Sequence, residues 1–168
     1  SPMIGISGGT QAILSYNYGA RCANRVKDAE RNILGVMLIF TTIMFLLSRF
    51  IPRYFVLLFT TDPQYIRFSV WAIRTYTLMI IPLSFQYVFV DGLTALECPK
   101  TGLALSVTRK SLFVISAAVL PPFFGAKAAF FAEPVADGIS SVLSTVVFLL
   151  LINRHLDKRC QMDKEAIL

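Results

Sequence analysis

Charged residues are scarce in this 168-residue sequence, where Asp, Glu, Lys and Arg make up 15% of the chain. Soluble globular domains carry about 25%. Hydrophobic residues reach 55%, and the mean hydropathy is +0.64. The composition therefore excludes an ordinary soluble domain and favours a chain embedded in a membrane. The length suits roughly four spans of ~20 residues each, with their connections.

The residue patterns of the common enzymes are also missing. The single histidine, His155, lies beside Arg154 near the C-terminus, which is typical of a solvated helix end. The sequence contains no GxxxxGKS phosphate loop, no HExxH motif and no CxxC pair. Its serines have no partner base. We therefore expect a protein that is not an enzyme and that carries no cofactor and no metal.

The cysteines indicate no metal site or disulfide framework. Cys22, Cys98 and Cys160 are widely separated and lack metal-ligand spacing. Each lies in a predicted connection on the cytoplasmic side, where thiols stay reduced. We expect thiols without a function.

Long apolar runs predict an all-α, polytopic membrane bundle with the end of one helix and four full spans. Residues 3–19 are too short and too rich in glycine to span alone, so we expect the end of a helix and a chain that is a fragment. The predicted segments are a helix end at 3–19, a cytoplasmic loop at 20–31, spans at about 32–50, 64–97, 102–122 and 128–152, and a cytoplasmic tail at 153–168.

The basic residues predict the orientation. Eleven of the 16 Lys and Arg residues lie in the first connection, the third connection and the tail, and five lie on the opposite face. Cytoplasmic loops carry this excess. We therefore expect a multi-pass protein of the plasma membrane with a cytoplasmic C-terminus. The net charge of +6 does not indicate nucleic-acid binding, because the basic residues lie between apolar spans.

Two local patterns predict helix ends. Gln11 to Tyr18, which includes Tyr16, is expected to form the last turns of a helix, and Asn17-Tyr18-Gly19 is expected to supply the left-handed residue that ends it. Residues 54–59 form a short interfacial helix, after which Thr61 or Asp62 caps the next helix with Pro63 at its first position.

The second predicted span is the helix whose residues most strongly indicate a binding site. Pro82 lies near its middle and is expected to kink it, which frees backbone carbonyls. Broken helices persist in membranes where other parts of the protein, or water in a cavity, form hydrogen bonds with the freed backbone groups. Gln86, Tyr87 and Asp91 follow the predicted kink and are candidates for binding substrate or a cation.

Three acidic residues fall within apolar helices: Asp91, Glu133 and Asp137. Charged groups near the middle of a membrane cost at least ~2.5 kcal/mol and often line a cavity or carry ions. Glu133 and Asp137 are therefore candidates for substrate or cation binding. Alternatively, they stabilise backbone groups freed by Pro134, or pair with Arg109 or Lys110.

Two segments carry a family resemblance. GGTQAILSYNYGARCANRVKDA, at 8–29, follows the pattern Gly-x-Gln-Pro-x-x-x-Tyr-Asn-Tyr-Gly-Ala with basic residues after it. LALSVTRKSLFVISAAVLPPFFGAKAAFFAEPVADGISSVL, at 103–143, follows Arg-x-x…Leu-Pro…Gly…Ala-x-Pro-x-Ala-Asp. The two resemble motifs of the MATE (multidrug and toxic compound extrusion) transporters, and the second is most similar to bacterial members. Ala12 replaces the usual Pro, and Glu97 to Lys100 replaces a Gly-rich turn.

The resemblance implies a multidrug efflux antiporter of twelve helices in two lobes, driven by H+ or Na+. This chain is then most of the C-terminal lobe, and its partners are membrane lipid, amphipathic or cationic small molecules and the N-terminal lobe. The helix of Gln86 and Asp91 contributes polar cavity residues in some members. The alternatives are a lipid-linked oligosaccharide flippase of the same superfamily, or a structural membrane subunit that transports nothing.

Overall fold

The computed structural model describes the backbone of residues 2–20 and 23–165, and side chains within 5–6, 8–20 and 24–152. The predictions for the side chains of Cys22, His155 and Cys160 lie outside the described residues. The helices are α1 (Pro2–Gly19), α2 (Ala23–Phe50), α3 (Pro52–Leu57), α4 (Pro63–Tyr76), α5 (Ile80–Ala95), α6 (Pro99–Phe124), a 3-10 helix (Ala126–Phe131) and α7 (Ala132–Glu165).

The helix α5 forms the centre of the bundle and packs against α1, α2, α6 and α7. It is apolar around most of its circumference, and it buries Leu83, Val88 and Leu93. Phe89 of α5 stacks on Phe148 of α7 with ring centroids 4.5 Å apart. A helix that is hydrophobic all round is expected in such an interior position.

The outer surface of the bundle is also apolar. Ile39 of α2, Val114 of α6 and Leu150 of α7 are 65, 63 and 70% exposed, respectively. Apolar patches of this extent are rare on soluble monomers and are normal where lipid is the solvent. The bundle therefore has the surface of a membrane protein.

In the part of the chain that the structure describes, three helices are long and apolar enough to cross a membrane: Asn24–Phe50, Pro99–Phe124 and Ala126–Ile152. The pair Pro63–Tyr76 and Ile80–Ala95, bent by 42°, counts as a fourth if it is one broken span. The predicted all-α, polytopic bundle is confirmed.

The helix α2 begins at Ala23, within the predicted loop at 20–31, in agreement with the helical pattern of this segment from about Arg25 onward. Val26 and Ile33 are buried on one face of this first part of α2, so packing extends the helix. The predicted left-handed residue at Gly19 is wrong. Instead, the Ala20 N–H still donates to the Tyr16 carbonyl at 2.9 Å, as in a continuing helix.

The predicted second span is broken before Pro82 and not at it. The chain leaves the helical path between Tyr76 and Ile80, so Pro82 lies in the first turn of α5. A proline is tolerated there because the N–H groups of a first turn have no partner within the helix. The predicted cap is confirmed: the Asp62 side chain accepts a hydrogen bond from the Gln64 N–H at 2.8 Å, and Pro63 follows it at the first position.

The last two spans are longer than predicted. The helix α6 begins at Pro99 and continues through Pro121 and Pro122 to Phe124, ending at Gly125 with φ of +83°. The prolines do not stop the helix, since a proline carbonyl still accepts: the Gly125 N–H donates to the Pro121 carbonyl at 2.8 Å. The backbone of α7 continues to Glu165, so most of the predicted tail at 153–168 is helical.

Candidate functional site: a polar cluster inside the bundle

Arg109 of α6 joins two acidic residues of α7 inside the bundle. Its Nε donates to Asp137 Oδ1 at 2.7 Å, and its Nη2 donates to Glu133 Oε1 at 2.9 Å. Glu133 and Asp137 are four residues apart, so both carboxylates lie on the same face of α7. Arg109 and Asp137 are 8 and 3% exposed. The alternative in which these acids pair with Arg109 is therefore correct.

Pro134 does not free backbone groups in the way that the other alternative requires. It lies in the first turn of α7, whose N–H groups are not used by the helix. Glu133 precedes it in the same turn, where the partial positive charge of the helix terminus also favours a carboxylate. Tyr76 of α4 lies close to Glu133. The two acids of α7 thus link this helix to α6 through Arg109.

Gln86 and Tyr87 of α5 lie next to this cluster, and they make different contacts. The Ser144 hydroxyl of α7 donates to Gln86 Oε1 at 2.5 Å, and both residues are buried. The Arg109 guanidinium lies 5.9 Å from the centre of the Tyr87 ring, within the range of a cation–π interaction. Gln86 therefore fastens α5 to α7, and Tyr87 covers Arg109.

A cavity of about 210 Å³ opens beside the cluster. Its polar walls are formed by the side chains Gln86, Tyr87, Asp91, Ser106, Arg109 and Lys110. Three of the predicted binding residues, Gln86, Tyr87 and Asp91, thus lie around one cavity. Glu133 and Asp137 do not line it, since they lie behind Arg109 and are engaged by it.

The structure adds Glu30 of α2, which the sequence analysis did not single out. It is 5% exposed, and its Oε1 is buried without a hydrogen-bond partner among the described residues. It packs on Gly92 of α5, where an added Cβ would lie 2.6 Å from Glu30 Oε1. The neighbouring Asp91 is close enough to repel it electrostatically. The helical spacing in the sequence could have indicated that Glu30 is buried. Glu30 lies four residues after Val26 and seven before Met37, on the buried face of α2.

The residues around the chain's first motif lie away from this cavity. Gln11 of α1 is half-buried, Tyr16 is 77% exposed, and the Asn17 side chain donates to the Ile13 carbonyl at 2.9 Å. Gly19 closes α1 with open space around its Cα. These residues shape and end α1.

The described residues hold no group of three or more His, Cys, Asp and Glu side chains that could bind a metal ion. Cys98 lies between α5 and α6, where its thiol donates to the Leu96 carbonyl at 3.6 Å. Burial, with the nearby Glu97 carboxylate, raises the pKa of the Cys98 thiol. A thiol with a raised pKa is a poor nucleophile.

The sequence model of the MatE family matches residues 1–120. The chain belongs to the MATE family. Members of this family are transporters, and the polar cluster lies among helices that are long and apolar enough to cross a membrane.

Relatives of known sequence or structure extend this assignment. The chain is 25% identical over 136 residues to the FAD transporter of Shewanella oneidensis. The aligned residues cover 80% of this chain and 30% of that protein. It superposes on the MATE multidrug transporter DinF-BH with a TM-score of 0.83 at 30% identity, covering 92% of this chain and 34% of that one. An inward-facing multidrug resistance MATE family transporter of the MOP superfamily gives a TM-score of 0.83 at 15% identity, covering 94% and 37%. This chain thus spans about a third of the length of these relatives.

Proposed function

We propose that this chain is most of the C-terminal lobe of a multidrug efflux antiporter, which exports amphipathic or cationic compounds in exchange for H+ or Na+. The observation that carries the proposal is the small cavity between α5 and α6, with Asp91, Gln86 and Tyr87 around it. A cavity of this kind inside the membrane-spanning part of a MATE protein suits substrate or ion binding. The N-terminal lobe supplies the second half, because alternating access requires two repeats that move against each other.

Asp91 is the residue that we assign to cation binding. Glu133 and Asp137 are paired with Arg109, whereas Asp91 lines the cavity and forms no such ion pair among the described residues. In a low-dielectric interior a carboxylate attracts a cation far more strongly than in water. Tyr87 adds an aromatic face, on which a cationic or aromatic compound can lie. Gln86 positions α5 against α7 through Ser144.

Glu30 deepens the assignment because it adds a second carboxyl group beside Asp91. A buried carboxylate without a partner is costly, so the pair favours taking up a proton or a cation. One H+ or Na+ held between the two groups would couple occupancy of this region to the packing of α2 on α5. We therefore propose Glu30 and Asp91 as the ion-responsive part of this lobe.

The basic residues of the sequence support a plasma-membrane protein whose first connection and C-terminus are cytoplasmic. In this orientation the Glu30–Asp91 region lies toward the cytoplasm, since Glu30 is near the start of α2 and Asp91 is near the end of α5. The exposed apolar side chains of α2, α6 and α7 then face lipid.

A second candidate substrate is a flavin nucleotide. The observation that favours it is the match to a relative named FAD transporter. A flavin nucleotide is anionic, so it would not use Asp91 as a counter-charge. Competition between FAD and ethidium for export by the full-length protein distinguishes the two candidates.

The test is ethidium efflux from cells that express the full-length protein with Asp91→Asn. We expect efflux to fall to near the level of cells without the transporter. Asp28→Asn is the matched control, because Asp28 is an exposed acid on α2, and its removal should leave efflux unchanged. Normal efflux by a well-expressed Asp91→Asn protein would remove Asp91 from the proposal.

A further inference from the structure

A larger cavity, of about 800 Å³, lies at the other end of the bundle, between the end of α2, α3 and α4. Four arginines line it: Arg49, Arg53, Arg67 and Arg74. No acidic side chain is among the described residues that line it. The nearest acid in sequence, Asp62, is exposed and uses its carboxylate to cap α4.

These arginines differ from Arg109 in their partners, because acidic side chains of the described residues compensate only the positive charge of Arg109 among these five. Arg109 has two carboxylates within 2.9 Å. The structure instead gives Arg49 a ring contact, with its guanidinium 4.5 Å from the centre of the Phe45 ring. Arg49 Nη2 is buried and has no hydrogen-bond partner among the described residues. Arg74 Nη2 donates to the Arg49 backbone carbonyl at 2.7 Å, which is a neutral acceptor and not a counter-charge.

The position of the four arginines within the chain adds a second, independent argument. In the topology predicted from the sequence, they are four of the five basic residues on the face opposite to the basic connection, and the fifth is Lys127. Lys and Arg are disfavoured on that face. The positive-inside bias predicts that basic residues on this face are few and gives no reason for them to cluster, but here four of them line one cavity. Their concentration indicates a ligand of opposite charge.

The other residues that line this cavity indicate that the ligand also has an apolar part. Trp71, Leu78 and Phe131 provide apolar and aromatic surface between the arginines. Trp71 also packs edge-on against Phe130 and Phe131, with ring centroids 5.6 and 6.2 Å apart, so its position is well supported. Guanidinium groups match the oxygens of phosphate in a bidentate geometry that lysine cannot form.

We propose that this arginine-lined cavity binds the phosphate group of an amphipathic anion, with the apolar part of that anion against Trp71 and Phe131. The phosphate belongs either to a phospholipid headgroup or to a soluble organic phosphate. This site is separate from the Asp91 cavity, and its existence does not depend on the transport proposal.

Binding to the purified full-length protein tests the proposal without any measurement of transport. In the soluble arm, equilibrium dialysis compares 1-naphthyl phosphate with 1-naphthol, which differ only in the phosphate. In the lipid arm, native mass spectrometry compares retained phosphatidylglycerol with diacylglycerol of the same acyl chains, which lacks the phosphate group. Binding of the phosphate compound alone assigns a soluble ligand, and selective retention of phosphatidylglycerol alone assigns a lipid headgroup.

The decisive variant is Arg53→Gln with Arg67→Gln, since both side chains are exposed and their removal should leave the packing of the helices intact. We expect it to weaken the phosphate-dependent binding by at least about tenfold, the loss typical of a charge-assisted hydrogen bond. Arg25→Gln with Arg31→Gln is the matched control: it removes the same charge from exposed positions near the start of α2 and should leave binding unchanged.

If the double variant does not fold, Arg53→Lys is used, which keeps the charge but loses the bidentate geometry and should weaken binding less. The proposal is overturned if neither arm detects phosphate-dependent binding. It is also overturned if the cavity variants and the control pair bind equally well.

Discussion

Arg109 of α6 and Asp137 of α7 are joined by a 2.7 Å hydrogen bond between buried charged groups, 28 positions apart in the sequence. Glu133 completes the arrangement on the same guanidinium. Breaking a buried ion pair by removing one partner is far more costly than the pair is stabilising, because the other charge is left without a counter-charge. The cluster therefore holds α6 and α7 in a fixed relative position.

Arg109→Met leaves both carboxylates inside the bundle without their cation. We expect the free energy of unfolding to fall by about 3 kcal/mol. The measurement is the thermal unfolding midpoint of the detergent-purified full-length protein. Lys110→Met is the control, since Lys110 is the next residue and is exposed. Equal midpoints for the two variants would contradict the assigned role of Arg109.

Ser144→Ala removes the donor to Gln86 Oε1 and leaves a buried amide oxygen without a partner. We expect a loss of about 1–2 kcal/mol. Ser140→Ala is a matched control on the same helix. The Ser140 hydroxyl is also buried, but it donates to the Ala136 carbonyl of its own helix, so its loss should cost less. Thermal unfolding of the two variants compares them, and the reverse order would show that Gln86 does not depend on Ser144.

Gly92→Ala places a methyl group 2.6 Å from Glu30 Oε1 and 2.9 Å from Phe148 Cε2. Because two different helices close on this position, we expect a loss of roughly 1–3 kcal/mol. Gly138→Ala is the control: its nearest neighbour is Met79 Sδ at 3.9 Å, and it should be tolerated. Yields and unfolding midpoints of the full-length variants give the comparison. Equal tolerance of both substitutions would mean that Glu30 does not pack on Gly92.

Glu97 adopts φ of +63° just after α5, where the Cys98 N–H donates to the Leu93 carbonyl at 2.9 Å. This bond, six residues to one, belongs to the helix-ending motif that usually places glycine at the left-handed position. Glu97→Gly should therefore raise the free energy of unfolding by about 1 kcal/mol. Lys100→Gly, in the first turn of α6, should lower it by about 0.5–1 kcal/mol. A lower unfolding midpoint for Glu97→Gly would show that contacts of the Glu97 side chain outweigh the backbone strain.

The all-helical membrane fold could be predicted from the sequence because its cause is local. Long apolar runs, together with caps such as Asp62 before Pro63, indicate which segments form helices before any contact between helices is known. The ends were less predictable. Pro82 lies in the first turn of α5, whose N–H groups have no partner within the helix, so it does not kink the span as the sequence predicted. The helix α6 continues through Pro121 and Pro122 to Phe124, past its predicted end at 122.

The site itself could be predicted only in part. The sequence indicated the residue types inside the membrane, among them Asp91, Arg109 and Asp137, and one of two alternatives paired the acids with Arg109. Periodicity tells which residues share a face of one helix, but not which faces of two helices meet. The contact between Gln86 and Ser144, and the burial of Glu30 on Gly92, therefore emerge only from the packing.

The proposal that this chain belongs to a cation-coupled exporter is tested most directly by reconstituting the full-length protein into liposomes. Ethidium transport is followed under an imposed H+ gradient, an imposed Na+ gradient, or neither. We predict transport against the ethidium gradient under one of the two ion gradients, its collapse when the matching ionophore is added, and its loss with Asp91→Asn but not with Asp28→Asn. Ethidium movement that is the same with and without either ion gradient, in correctly inserted protein, would contradict the account.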